Sequence, residues 1–307
     1  KDDKVLTSWN GLMIHSMARA AGILDDEKYL RAAQEAARFV LDNMQRPDQR
    51  LLHCWRAGEA KVDAFLDDYA NLANALVTLY EASFEQQWID EAVRLAGIIM
   101  EQFHDEQEGG FFYTANDHEP LIARNKEIFD NATPSSSAMA AMALLRLGKL
   151  CGNTTFLEAA EEVIREGTGV MERSAIGGAQ LLVVLDMKLG PTPEIVILGD
   201  TKDEETAALL YDLRHRFVPN RILACAASAD DIESVNLKGA FVGKEQLDES
   251  VTVYVCENFS CQQPVIGQQA ARETWEQLVK GTSSMSQDEI SITAEPITDA
   301  SCRFTIS

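Results

Sequence analysis

Apolar residues recur at helical spacing through the first 190 residues, and the pattern changes after the Pro191-Thr192-Pro193 break. The spacing predicts helices over residues 8–21, 26–44, 63–83, 87–103, 135–150, 154–168 and 174–189. Gly22 is the expected C-cap of the first helix, and Pro47 marks the end of the second. Leu12, Met13, Met17 and Ala20 share one face of the first helix. Tyr29, Ala33, Ala36, Ala37 and Val40 are the inward face expected of the second.

The helices repeat in pairs. The second member of each pair begins with an aromatic and an aliphatic residue, Tyr29-Leu30, Trp88-Ile89 or Phe156-Leu157, and has Ala33, Ala92 or Ala160 four positions after the aromatic. That spacing puts a bulky knob and a close-approach site on one face, so each hairpin packs alike. Connections within pairs are short, whereas those between pairs, residues 46–62 and 104–134, are long and hold β-like pieces at 51–55 and 110–114. All long loops then leave one end of the array, where binding and catalysis tend to collect. This is the organisation of an (α/α) toroid. Seven helices are too few to close a ring of six hairpins, so an incomplete toroid, and a chain that is a fragment, are expected.

Residues 191–280 read as a small α/β region, and 281–307 as a polar linker with short terminal strands. Strands are expected at 194–198, 221–226 and 251–256, helices at 203–217 and 268–280, and a helical turn at 231–235. The alternation suggests parallel strands. Two weak strand candidates follow at 289–293 and 303–306.

Composition narrows the function. The 307 residues include 27 Lys and Arg against 49 Asp and Glu, a formal net charge of −22. That excess argues against nucleic acid and anionic membrane surfaces as partners. No apolar run approaches the ~20 residues of a membrane span. The chain opens Lys1-Asp2-Asp3-Lys4 without Met or a signal segment. Cys54, Cys151, Cys225, Cys256, Cys261 and Cys302 form no disulfide framework, so buried thiols in a reducing, cytoplasmic setting are expected.

Asp67-Asp68-Tyr69 opens a helix after a long loop. Asp67 and Asp68 are the candidate general acid and base, and Tyr69 a ligand contact; acidic residues there also stabilise a helix dipole. Arg124, Lys126, Glu127 and Asp130 converge with Ser135, Ser136 and Ser137 at another helix start, a pattern suited to an anion or sugar hydroxyl, and equally to capping and surface ion pairs. Trp9 and Asn10 head the first helix as a sugar-ring contact or, for the indole, as core. Cys256-x4-Cys261 lacks zinc or redox spacing and reads as inert thiols. The five histidines show no ligand spacing, so no metal or other cofactor is expected.

Six segments carry a family likeness: DDKVLTSWNGL (2–12), FLDDYA (65–70), GGFFYT (109–114), RNKEIFDNATPS (124–135), GGAQLL (177–182) and VYVCENFSCQQPV (253–265). Together they resemble the spermatogenesis-associated thioredoxin-domain proteins and their bacterial and archaeal relatives. The resemblance implies a mainly α chain, part of a six-hairpin glycosidase-like (α/α)6 toroid followed by the small α/β region. It also implies an upstream thioredoxin-like domain in the parent. The same toroid serves sugar epimerases of the acylglucosamine 2-epimerase type. The chain departs from the family at Ser135-Ser136-Ser137-Ala138, where relatives often carry Asn third and Ser next. The leading expectation is a carbohydrate ligand bound or converted by epimerase, isomerase or glycosidase-like chemistry. The alternative is a non-catalytic protein- or peptide-binding toroid that supports thiol redox chemistry of the thioredoxin-like domain.

Overall fold

The computed structural model describes residues 3–119, 123–248, 250–288, 293–295 and 303–305. Three helical hairpins follow one another: α1 (Thr7–Leu24) with α2 (Glu27–Asn43), α3 (Leu66–Ser83) with α4 (Gln87–Gln102), and α5 (Ser136–Cys151) with α6 (Thr154–Arg173). Helix α7 (Ala179–Leu189) lies against α5 and α6. Helices α3 and α5 are buried along almost their whole length, and α2, α4 and α6 bury one stripe each. An inner row with an outer row behind it is the layering of a toroid. The repeat explains the outer stripe: Ala33, Ala92 and Ala160 have no exposed surface, and Trp88 and Phe156 are buried beside them.

Helix α1 differs from expectation in its end and its face. It runs on to Leu24 and is capped by Asp25 in the left-handed region, φ 51°. Gly22 lies inside it, where a Cβ would meet Arg214 Cδ at 2.9 Å. The buried stripe is Gly11, Ile14 and Ala18, and Met13 is exposed. Small residues set this face because α3 crosses so closely that a Cβ on Gly11 would sit 2.7 Å from the Asn71 carbonyl carbon. Backbone cannot yield there, so Gly11→Ala should cost about 1–3 kcal/mol. A urea midpoint equal to wild type would refute this packing.

Two strands fill the first long connection. β1 (Val5–Leu6), β2 (Leu52–Arg56) and β3 (Glu59–Asp63) form an antiparallel sheet over the N-termini of α1 and α3. Thr7 Oγ1 donates to the Leu52 carbonyl at 2.6 Å and fixes the start of α1 to it. The strand expected at 110–114 is absent: only a His104–Phe111 bridge forms. Gly109 and Gly110 are left-handed, and the Phe112 and Tyr113 N–H groups bond Phe103 and Asn125 instead of a ladder.

The α/β region packs at the opposite, short-loop end. β4 (Glu194–Leu198), α8 (Glu204–Arg214), β5 (Ile222–Ala226), the short α9 (Lys238–Phe241), β6 (Thr252–Glu257), β7 (Ser260–Cys261), β8 (Val265–Ile266) and α10 (Gln268–Asp288) follow in order. The sheet runs β5-β4-β6-β7, with β8 also on β6. It is mixed rather than parallel: β4 and β5 are parallel, and β6 is antiparallel to β4. One face, including Val196, Ile222 and Tyr254, joins the helical core; the other, with Ile197, Leu223 and Val253, packs on Leu213 and Trp275. Burial on both faces explains why these strands read as unbroken apolar runs. Short strands β9 (Thr293–Glu295) and β10 (Arg303–Thr305) pair antiparallel, and residues 289–292 and 306 of the expected strands lie outside the described residues. No helix among the described residues is long and apolar enough to cross a membrane.

The cysteines are not all the free thiols that the sequence led one to expect. Cys256 and Cys261 are bonded as a disulfide across β6 and β7, with Cα atoms 3.8 Å apart. Asn258 and Phe259 both adopt positive φ, 49° and 63°, which closes a two-residue hairpin and sets the cysteines opposite each other. Cys54, Cys151 and Cys225 are free thiols, and Cys302 lies outside the described residues.

Candidate functional site at the long-loop face

Asp67 and Asp68 sit in the first turn of α3, beneath β2. Asp68 is fully enclosed. Its Oδ1 accepts the Ser8 N–H and its Oδ2 the Phe65 N–H, both at 2.9 Å, so one carboxylate ties together the starts of α1 and α3. His53 on β2 places Nδ1 2.9 Å from Asp68 Oδ2. The hydrogen bond to Asp68, then the charges of Asp68 and Asp67, raise the His53 pKa above its ordinary value despite partial burial. Roughly a quarter of the His53 side chain remains exposed, at 25%.

Asp67 points elsewhere. Its Oδ1 is buried without a hydrogen-bond partner. Burial, then the neighbouring Asp68 charge, pushes its carboxyl up to about 6, with the Ser8 side chain and His53 opposing and Glu127 adding to the rise. Burial and then Asp67 raise the Tyr113 phenol well above its usual range, which keeps it a neutral donor. Phe65 stacks on Tyr113, with ring centroids 5.0 Å apart, and presents its edges to His53 and His118. Toward the N-terminal ends of the inner helices α3 and α5, Asn71 Oδ1, Ser136 Oγ and Ser137 Oγ are also buried without partners. Leaving such groups unpaired costs about 1–3 kcal/mol each.

The remaining expected residues are placed differently. The Trp9 indole is 63% exposed at the head of α1, and Asn10 Nδ2 donates to the Leu6 carbonyl at 2.8 Å. Tyr69 is fully buried, its hydroxyl accepting from Arg50 Nε and the Leu51 N–H, so it supports the core. Arg124 stacks on Phe112 and donates to the Thr114 carbonyl. Lys126 is held between Asp105 at 3.0 Å and Glu166 at 3.4 Å. Asp130 accepts the Ser135 and Gln180 N–H groups, and Ser135 Oγ caps α5 through the Ala138 N–H. These four tie the second long loop to nearby backbone and to the Asp105 and Glu166 carboxylates.

His53 and Tyr113 go unread in the sequence, and Glu127 is read there only with the Arg124 and Lys126 cluster and not with Asp67. The hairpin register and an irregular loop bring them to Asp67, and neither leaves a spacing to search for. Among the described residues, no group of three or more His, Cys, Asp or Glu side chains is placed to hold a metal ion.

The layered hairpins define the protein as a helical toroid of the six-hairpin glycosidase-like class. A GH76 alpha-mannanase from Bacteroides thetaiotaomicron superposes over 94% of this chain and 72% of its own, with a TM-score of 0.52 and 11% identity. No family model matches the sequence. The chain is similar to proteins named spermatogenesis-associated protein 20, in line with the resemblance of its motifs. The Rattus norvegicus protein is 30% identical over 275 residues, and the Homo sapiens protein 29% over the same length. The match takes in 86% of this chain, which spans only 35% of the length of these relatives.

Proposed function

We propose that the long-loop face is a carbohydrate-converting site in which Asp67 and His53 move protons to and from a bound sugar. The observation that carries this reading is a carboxyl held near 6 with an unpaired buried oxygen, beside an imidazole whose affinity for protons is raised. A carboxyl and an imidazole whose proton affinities are both raised suit a base and an acid. Ionised Asp67 takes the proton, and protonated His53 returns one to the substrate. Asp68 is a positioning residue, because its oxygens are engaged and none of its surface is exposed. Tyr113 donates to a developing oxyanion. Asn71, Ser136 and Ser137 offer the unpaired polar atoms that sugar hydroxyls would satisfy, and Trp9 an exposed aromatic face. The chemistry that fits is proton transfer at a sugar carbon, as in epimerisation or isomerisation.

Glycosidase-like hydrolysis is a second reading, favoured by one observation: the Glu127 charge acts on Asp67, so a second carboxylate is close by. A third is the protein- or peptide-binding toroid, and the Cys256–Cys261 disulfide beside the exposed Phe259 speaks for thiol chemistry there. In either case the upstream domain and its partners belong to the whole protein.

The test is NMR of the protein with a panel of aldoses and disaccharides across pH. Turnover should follow a bell, rising through about pH 6 as Asp67 ionises and falling as His53 loses its proton above its ordinary value. Products with no dependence on pH between 5 and 8 would count against this pair.

A further inference from the structure

Between the same inner helices, α1, α3, α5 and α7 surround a cavity of about 380 Å³ that runs from Pro134 and Gln180 on the long-loop side to Pro219, Asn220 and Arg221. Its polar wall carries Arg19, Arg146 and Arg221 against a single carboxylate, Glu81. A smaller adjoining space shares Arg19, Glu81 and Arg221 and adds Arg214. Four guanidinium groups therefore gather in a chain whose net charge is −22.

Glu81 is already committed. Its Oε2 accepts from Arg146 Nη2 at 2.7 Å and its Oε1 from the Leu223 N–H at 3.3 Å. Arg146 is fixed further by the Asn74 carbonyl, Asn74 Oδ1 and Thr78 Oγ1. Arg214 donates to the Ala82 carbonyl, and Arg221 to the Val218 carbonyl. None of Arg19, Arg214 or Arg221 has a carboxylate within salt-bridge distance among the described residues. Asp25 acts on Arg214, and Asp186 accepts from Asn220. Burial, then Arg146 and Arg19, holds His15 down to about 3, so it faces Thr78 as a neutral ring and does not add to the charge.

Arg214 and Arg221, anchored on backbone carbonyls, and Arg19 beside them stand without a salt-bridge carboxylate among the described residues, an arrangement suited to an oxyanion. Nothing in the sugar chemistry of the mouth requires them. We propose that this cavity binds a phosphate group, either free or carried by a small metabolite. Arg19 and Arg221 in its wall, with Arg214 in the adjoining space, match a phosphate dianion better than a monocarboxylate. The volume admits a body of monosaccharide size, and Met139, Met142 and Met187 line its apolar side. The proposal holds whether or not Asp67 and His53 convert a sugar.

Calorimetric titration at matched ionic strength, with inorganic phosphate, glucose 6-phosphate, glucuronate and glucose as probes, tests it. Both phosphates should bind and raise the melting temperature, and glucuronate and glucose should not. Tighter binding of glucose 6-phosphate assigns the site to a phosphorylated metabolite, and equal or weaker binding to free phosphate; both support a phosphate site. Arg19 is exposed and its loss leaves the core intact, so Arg19→Gln should weaken phosphate binding about tenfold at an unchanged melting temperature. Asp67→Asn should leave phosphate binding as it is, which separates this site from the mouth. Absence of phosphate binding, preference for glucuronate, or wild-type affinity in Arg19→Gln would overturn the proposal.

Discussion

Asp67→Asn should lower sugar turnover by about 10²–10⁴-fold and, at pH 8, make the protein more stable than wild type. The two effects share a cause. Burial and the Asp68 charge favour the protonated form of the Asp67 carboxyl in the folded chain, holding its pKa near 6 against an ordinary value of 3.8. Stability is therefore fullest below the unfolded value and falls as pH rises toward the folded one, because ionisation is easier in the unfolded chain. Asparagine has no charge to lose. A shift of this size corresponds to about 1–3 kcal/mol after allowance for solvent, so the variant should gain that much at pH 8 and almost nothing at pH 4. Denaturant midpoints at the two pH values measure it. An equal change at both would mean that the carboxyl is not perturbed.

Asp68 should behave in the opposite way. Asp68→Ala removes the acceptor of two backbone N–H groups and the partner of His53 from a site with no solvent access. A loss of about 3–5 kcal/mol is expected, seen as a large drop in the urea midpoint. The raised His53 pKa also makes a signed contribution: its stabilisation is complete below 6.5 and is lost as pH rises through the folded value. That component should vanish in the variant, with the His53 ring titrating at or below its ordinary value by NMR. A loss under 1 kcal/mol with an unchanged His53 titration would remove Asp68 from its positioning role.

The helical hairpins were legible because their burial has one period. Trp88, Phe156 and the repeated alanines follow the outer stripe that the 3.6-residue spacing demands. The face of α1 was not, since Gly11 and Ala18 bury by letting α3 approach and not by being large. The same limit applies at the site. Asp67 could be picked out because it opens a helix after a long loop, but nothing local distinguishes it from Asp68, which faces inward to bond Ser8, Phe65 and His53. The Arg124, Lys126 and Asp130 cluster had the residue types of a ligand site, yet each side chain is used by a neighbour in its own loop or an adjacent helix. The disulfide escaped because its turn places Phe259, a bulky residue, at positive φ, where sequence rules expect Gly or Asn.

The central claim, that Asp67 and His53 exchange protons with a sugar at the long-loop face, is tested most directly by solvent deuterium. The protein is incubated in D₂O near pH 6.5 with reducing sugars, and the proton beside the carbonyl carbon is followed by NMR. The account predicts sugar-specific loss of that signal in wild type and its retention in Asp67→Asn. No exchange and no new sugar product across the panel, or exchange that continues undiminished in Asp67→Asn, would contradict it.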